Sequence, residues 1–201
     1  MNRAVTAERG TSLVEMLAVL AIAAIALAVT LPAAAQLRDA GRAAAGARAM
    51  ATLFSSQRWK STTSGTTTGF QFRKQGADWT WREVRDGNGN GLRTAEITRG
   101  VDAVVSGDQS LSARVDHVTL GFPPGGSFPE APPGTGRVQT GDDPVRFGVS
   151  DLVSFSPLGA SSSGTLYVTD GHEGLYAVVL FGPTTRLRVW RWNPRERRWT
   201  L

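Results

Sequence analysis

The sequence predicts an α+β fold in which one long N-terminal helix packs on an antiparallel β head. An apolar run, followed by apolar residues at spacings of three and four, occupies about the first sixty residues. Short alternating segments separated by Gly- and Pro-rich turns occupy the rest. The length of 201 residues, 41% hydrophobic and 19% charged, suits one domain with an anchor or tail, which excludes large multidomain enzymes and wholly disordered regulators. Because the chain has no cysteine, disulfides and thiolate metal sites are also excluded.

The N-terminal segment contains an apolar run of bilayer length. Residues 13–31 include only two non-apolar members, one of them Glu15, and as a helix the run would span about 28 Å. The preceding segment, residues 1–10, carries two arginines and one glutamate, which predicts that it stays in the cytoplasm. We therefore expect a single-pass membrane protein with a cytoplasmic N-terminus and the bulk of the chain on the other side of the membrane.

Three interpretations of this run compete. A secretory signal peptide cut near the three alanines at 33–35 would have an apolar region of only about 7 to 15 residues. It would also place the carboxylate of Glu15 in the membrane, at a cost of about 2.5 to 3.5 kcal/mol. An uncleaved anchor leaves Glu15 equally unexplained. The third interpretation comes from the residues at the junction, 9–17, taken together.

The junction reads Arg-Gly-Thr-Ser-Leu-Val-Glu-Met-Leu and resembles the prepilin signal of type IV pilins and type II secretion pseudopilins. The resemblance implies that a membrane peptidase cuts after Gly10 and methylates the new N-terminal residue, Thr11, where the family usually has Phe or Met. It also implies that Glu15 pairs with the terminal amine of a neighbouring subunit during assembly. Such a pair would offset the desolvation of both charges.

The helical pattern resumes beyond Pro32, which should bend or loosen the helix locally. Its apolar stripe predicts an amphipathic second half that packs on the head. The members of the stripe are Leu37, Ala40, Ala44, Ala47, Ala51 and Phe54. The expected domains are a leader at 1–10, a helix at 11–60 with a transmembrane part at 13–31, and a β-rich head at 61–201.

The head is expected to begin with a Ser/Thr/Gly-rich linker at 61–69 and to continue as consecutive strands. Strand signals lie at 70–72, 79–81, 96–101, 114–122, 145–149, 152–155, 165–169, 175–181 and 186–192. Between 122 and 136, five prolines and four glycines predict an exposed loop.

Four C-terminal segments resemble the GspH/FimT family of minor pseudopilins and minor pilins: LVSFSPLG at 152–159, GTLYVTD at 164–170, YAVVL at 176–180 and TRLRV at 185–189. The resemblance implies a type IV pilin-like fold and a structural subunit in the pseudopilus of a type II secretion system. It also implies a single-pass inner-membrane location with a cytoplasmic N-terminus and a periplasmic head. Its partners would be other pseudopilins or pilins, the prepilin peptidase/methyltransferase and the inner membrane.

The C-terminal residues 186–201 hold the whole charge excess of +5. Their six arginines are Arg186, Arg188, Arg191, Arg195, Arg197 and Arg198. In a strand, Arg186 and Arg188 would share one face with Trp190 and Trp192, a combination suited to phosphate contact and base stacking. Some FimT-like members bind DNA through a Gly-Arg-x-Arg motif, and here Thr185 stands in place of the glycine. The alternative function is therefore a DNA-binding minor pilin; the competing reading is that the arginines protect an edge strand or contact a subunit.

The segment DGNGNG at 86–91 has the oxygen spacing of a calcium loop. The twelfth position, which needs a glutamate, holds Ile97, and Glu96 comes one residue early. A Gly/Asn-rich hairpin turn explains the segment better, so we expect no metal. The two histidines, His117 and His172, have no spacing typical of a metal or nucleophile-base site, and neither an enzymatic activity nor a cofactor is expected.

Overall fold

The computed structural model describes residues 13–201, and the side chains of all of these except 29–40. The chain divides into two compact units, Met1–Asp39 and Ala40–Leu201. Two residues of the expected cleavage site, Gly10 and Thr11, lie outside the described residues.

The described residues form three helices and thirteen strands. The helices are α1 (Leu13–Ser64), α2 (Thr94–Arg99) and a 3₁₀ helix (Gly182–Thr184). The strands are β1 (Thr68–Gln75), β2 (Asp78–Arg85), β3 (Ala103–Val104), β4 (Gln109–Ser110), β5 (Thr119–Leu120), β6 (Ser127–Pro129), β7 (Arg137–Gln139), β8 (Val145–Arg146), β9 (Leu152–Phe155), β10 (Gly164–Thr169), β11 (Leu175–Phe181), β12 (Arg186–Asn193) and β13 (Arg198–Thr200).

The fold class expected from the sequence, a type IV pilin-like α+β fold whose helix has a transmembrane and an amphipathic half, is wrong. The head that follows α1 is mostly β, and no helix of the described chain is long and apolar enough to cross a membrane. The same finding overturns the expected single-pass inner-membrane location with a cytoplasmic N-terminus and a periplasmic head.

The strands pair antiparallel in three sheets. The first sheet has the order β3-β2-β1-β9, with β4 also paired to β2. The second sheet has the order β13-β12-β11-β10-β5, with β8 also paired to β10. The third is the two-stranded hairpin of β6 and β7, of which β6 lies inside the segment 122–136 expected to be an exposed loop and β7 follows directly after it.

The Ser/Thr-rich segment expected as a linker begins instead as the last turn of α1. Ser61 is fully buried and donates its hydroxyl to the backbone carbonyl of Phe155 at 2.6 Å, which holds the helix against β9. The helix ends at Ser64, and Gly65 follows with φ +65°, the left-handed conformation that commonly terminates helices. Composition alone predicted that the helix ends at residue 60, and the hydrogen bond from Ser61 to Phe155 accounts for its continuation to Ser64.

The main core of the second unit forms where α1 meets both large sheets. One face of α1 is buried, and its residues recur every three or four positions: Ala43, Ala47, Met50, Phe54, Gln57 and Ser61. The ring centroid of Phe54 lies 5.9 Å from those of Phe70 and Phe147 and 6.0 Å from that of Phe155. Of the expected stripe, Ala44, Ala47 and Phe54 are buried and Ala51 is half-buried, while the side chains of Leu37 and Ala40 are outside the description.

The second sheet is buried on both faces. Along β11, Val178 and Leu180 join the main core, whereas Ala177 and Val179 join a second cluster on the opposite face. The second cluster also takes in Phe122, Ala131, Val138, Tyr167, Leu175 and Trp192, with Phe128, Trp190 and Trp199 packed against it. Three residues of this set, Phe128, Ala131 and Val138, belong to the β6–β7 hairpin or its connection. The segment expected as an exposed loop therefore covers the outer face of the sheet.

Gly46 allows the backbone of α1 to approach the second sheet closely. A Cβ at this position would lie 2.5 Å from Val118 Cγ1 and 3.2 Å from Val168 Cγ1. Gly46→Ala should lower the free energy of unfolding by about 1–2 kcal/mol, because overpacking outweighs the gain in helix propensity. The matched control is Gly41→Ala, whose Cβ would have no atom within 4 Å, and it should raise stability by about 0.5–1 kcal/mol. Chemical denaturation of both variants measures the difference, and equal stabilities would show that the helix does not approach this closely.

Candidate functional site

The N-terminal part of α1 presents apolar side chains on all sides. Leu13, Met16, Leu20 and Ile22 are between 58% and 76% exposed. Glu15 lies in the first helical turn and is exposed as well. A carboxylate in the first turn is favoured by the helix dipole. A helix with apolar side chains on all sides is stable only when other apolar groups cover each of its faces.

The six C-terminal arginines do not form one stripe. Arg186 and Arg188 lie on the face of β12 that carries the second cluster, while Arg191 alternates to the other face and is exposed. The remaining three follow in the β12–β13 hairpin: Arg195 and Arg197 in the turn and Arg198 at the start of the edge strand, where it pairs with Glu196 at 2.5 Å. The hairpin therefore spreads its positive charge over both faces and the tip of the sheet.

The tryptophans expected beside these arginines are packed into the protein. Trp192 is only 8% exposed, and its ring lies 5.5 Å from that of Trp199 and 5.7 Å from that of Phe128. Trp199 donates its indole N–H to the backbone carbonyl of Pro129 at 2.9 Å. Trp190 is half-buried, with the Arg188 guanidinium 6.0 Å from its ring centroid. The geometry leaves these rings little surface on which a base could stack.

Thr185, which stands where the Gly-Arg-x-Arg motif has glycine, adopts the glycine conformation. Its φ is +52°, it is 4% exposed, and it follows the 3₁₀ helix directly. Its hydroxyl donates to the backbone carbonyl of Gly159, and this contact holds the residue in the left-handed region. The backbone at the start of β12 thus keeps a geometry that favours glycine.

The DGNGNG segment closes on itself around buried carboxylates. Asp86 accepts hydrogen bonds from the backbone N–H groups of Asn88, Gly89 and Gly91 at 2.8–3.0 Å. The side-chain amides of Asn88 and Asn90 both donate to the carboxylate of Glu96 at 3.1 Å. The oxygens that a calcium ion would use are therefore occupied by N–H donors of the chain itself.

The segment after this loop is a helix and not the strand expected at 96–101. The fully buried Asp102 accepts from the backbone N–H of Gly87 at 3.2 Å and from that of Arg93 at 2.9 Å, so it ties the loop to the start of α2. Gly100, with φ +76°, ends α2. In the described chain no group of three or more His, Asp or Glu side chains could hold a metal ion. The expected absence of enzymatic activity stays a prediction.

The pKa of Asp86 lies below its usual value of 3.8, because the backbone N–H groups that bind its charged form outweigh the upward effect of burial. The stabilisation is present at pH values above about 4 and is lost as the pH falls through the lowered folded-state pKa. Asp86→Asn should lower the free energy of unfolding by about 2 kcal/mol at pH 7, and the difference from the unchanged chain should shrink below pH 4.

Thermal unfolding between pH 3 and pH 7 measures this effect. Asp116→Asn is the matched control, since Asp116 is exposed, and it should change stability by no more than about 0.5 kcal/mol. A pH-independent difference for Asp86→Asn would contradict the assigned cause.

A groove that the sequence did not reveal runs along the last turns of α1, beside the 3₁₀ helix and the start of β12. It has a volume of about 790 Å³. Its floor contains the buried rings of Phe54 and Phe155, and its rim carries Arg58, Trp59 and Arg186. The only sequence signal was that Arg58 and Trp59 fall off the apolar stripe of the helix.

Comparison with models of known protein families, with curated proteins and with solved structures finds no match for this chain.

Proposed function

We propose that the protein is a structural subunit of a filament of the pseudopilin class, in the pseudopilus of a type II secretion system. The observation that carries the proposal is the uncovered apolar helix with one carboxylate in its first turn, Glu15. The junction at residues 9–17 gives the same reading from the sequence, because it resembles a prepilin signal.

Packing against equivalent helices would cover this apolar surface. Leu17, with 58% of its surface exposed, and Leu20, with 66%, lie three residues apart on one side of the helix, and Ile25 adds a third large exposed side chain. Burial of such a side chain contributes about 1.5–3 kcal/mol, so a short segment supplies a strong association energy. Glu15 would then meet the terminal amine of a neighbouring subunit, exposed by cleavage after Gly10, and the two charges would offset each other's desolvation.

Single-cysteine cross-linking tests the proposal cleanly, because the chain contains no cysteine of its own. Leu20→Cys should give cross-links between neighbouring subunits in cells that express the assembly machinery. Adding Glu15→Gln, which keeps the shape and removes the charge, should reduce cross-linking about tenfold or more, since a buried amine would be left unpaired.

Glu173→Gln serves as the matched control, because Glu173 is an exposed carboxylate on the β head. It should leave cross-linking unchanged. Undiminished cross-linking of the Glu15→Gln variant would contradict the role of this carboxylate, and failure of Leu20→Cys to cross-link at all would contradict the filament.

The alternative function, DNA binding by a minor pilin, is favoured by the exposure of Arg191, Arg195 and Arg197. In that case the arginines would contact phosphates, because the neighbouring tryptophans are packed in the second cluster. Arg191→Ala with Arg195→Ala should then weaken affinity for DNA and reduce the slope of its salt dependence. Unchanged affinity and slope would remove this alternative.

A further inference from the structure

The groove beside the 3₁₀ helix has no part in the proposed filament contact. We propose that it binds an extended acidic segment of a partner protein, which inserts a bulky apolar side chain between α1 and β12. Phe54, Phe155 and Leu180 form an apolar floor and are 1–2% exposed, while Leu187 is half-buried at the side. The groove volume of about 790 Å³ accommodates a peptide segment of several residues.

Two unpaired guanidinium groups give the groove its preference for carboxylates. Arg58 lines it from the helix side, and Arg186, the first residue of β12, borders both this groove and a smaller cavity that it shares with Val179 and Arg188 on the outer face of the sheet. Neither side chain has a hydrogen bond or an ion pair with any residue that the structure describes, whereas Arg73, for example, donates from Nη2 to both carboxylate oxygens of Asp108 at 2.8–2.9 Å. Guanidinium groups form strong charge-assisted hydrogen bonds with carboxylates, so an acidic segment would give both arginines an ion-pair partner.

Large apolar side chains are exposed around the same groove. Trp59 lines it and is 70% exposed. Leu158 is 94% exposed, and its turn is joined to the groove wall by the hydrogen bond from Thr185 to Gly159. Exposed tryptophan next to arginine is the composition of residues that dominate protein–protein binding energy.

A protein segment fits this groove better than a nucleic acid. Single-stranded nucleic acids bind by stacking successive bases on several aromatic faces along a basic groove. Here Trp59 is the exposed aromatic ring among the lining residues, and the floor is apolar. An apolar floor suits a side chain such as leucine or phenylalanine, and the two arginines at the rim suit carboxylates on either side of it.

Fluorescence anisotropy with the full chain tests the proposal. The probe is a fluorescein-labelled decapeptide of alternating Glu and Leu, and an alternating Glu and Ser decapeptide is its control. The Glu-Leu peptide should bind, and Arg58→Glu with Arg186→Glu should weaken its affinity at least about tenfold, because two attractive contacts become repulsive. Trp59→Ala should weaken it about tenfold as well.

The matched control for charge is Arg48→Glu with Arg85→Glu, two exposed arginines away from the groove, which should leave affinity within about twofold. Failure of the Glu-Leu peptide to bind, equal binding of the Glu-Ser peptide, or equal effects of the two double variants would each overturn the proposal. A twelve-nucleotide oligo-dT that binds more tightly than the peptide, and whose binding is lost in the Arg58→Glu, Arg186→Glu variant, would show a nucleic-acid site instead and would also overturn it.

Discussion

Phe54→Ala is expected to lower the free energy of unfolding by about 3–5 kcal/mol, the largest effect of any single change in α1. The ring is 1% exposed and contacts three aromatic rings, Phe70 and Phe155 from the first sheet and Phe147 after β8. Its removal would leave a cavity where the helix, the first sheet and the second sheet meet. The surrounding strands are held by backbone pairing and cannot collapse into that space.

Urea denaturation of the full chain, followed by tryptophan fluorescence, measures this loss. Phe181→Ala is the matched control, because Phe181 is 48% exposed at the end of β11, and it should cost less than about 1 kcal/mol. Equal costs for the two variants would mean that α1 does not anchor the two sheets through Phe54.

Trp192→Ala is expected to cost about 3–5 kcal/mol, because Trp192 fills the centre of the second cluster. Its ring lies between Phe128 of the hairpin and Trp199 of β13, so the substitution should also loosen the cover over the outer face of the sheet. Limited proteolysis within residues 123–136 should become faster for this reason.

The matched control is Trp59→Ala, since Trp59 is 70% exposed and should contribute less than about 1 kcal/mol to folding. The pair separates two roles of tryptophan in this chain. If Trp192 were a surface platform for ligands, its replacement would leave stability unchanged, and the packing described for the second cluster would be wrong.

Several elements were predictable because their signal is local. The alternating or continuous apolar segments at 152–155 and 175–181 coincide with β9 and β11, and the pattern at 165–169 misses only the first residue of β10. Hydrophobic periodicity reports which side chains must be buried, and that requirement is present in the chain before it folds. The strand expected at 114–122 shrinks to the two residues of β5, Thr119 and Leu120, which pair with Thr169 and Val168 of β10.

The loop at 86–91 shows where local reasoning reached its limit. A hairpin turn was expected, but the segment joins β2 to the helix α2 and not to a second strand, so it is not a hairpin. The conformation is set by Asp86 and Asp102, whose buried carboxylates collect backbone N–H groups from residues up to fifteen positions away. Such a contact depends on the position of both segments in space, and neither residue type nor spacing contains that information.

The sequence by itself determined which residues repeat at helical or strand spacing, where the charge excess lies, and that a carboxylate follows closely on a glycine at the start of an apolar run. Only the tertiary structure decided that the second sheet is covered on both faces, that the C-terminal tryptophans are packed beneath a Pro-rich hairpin, and that Arg58 and Arg186 line the same groove. The physical reason is that periodicity follows from the geometry of one element, whereas the cover over a face and the pairing of distant side chains depend on how separate elements pack together.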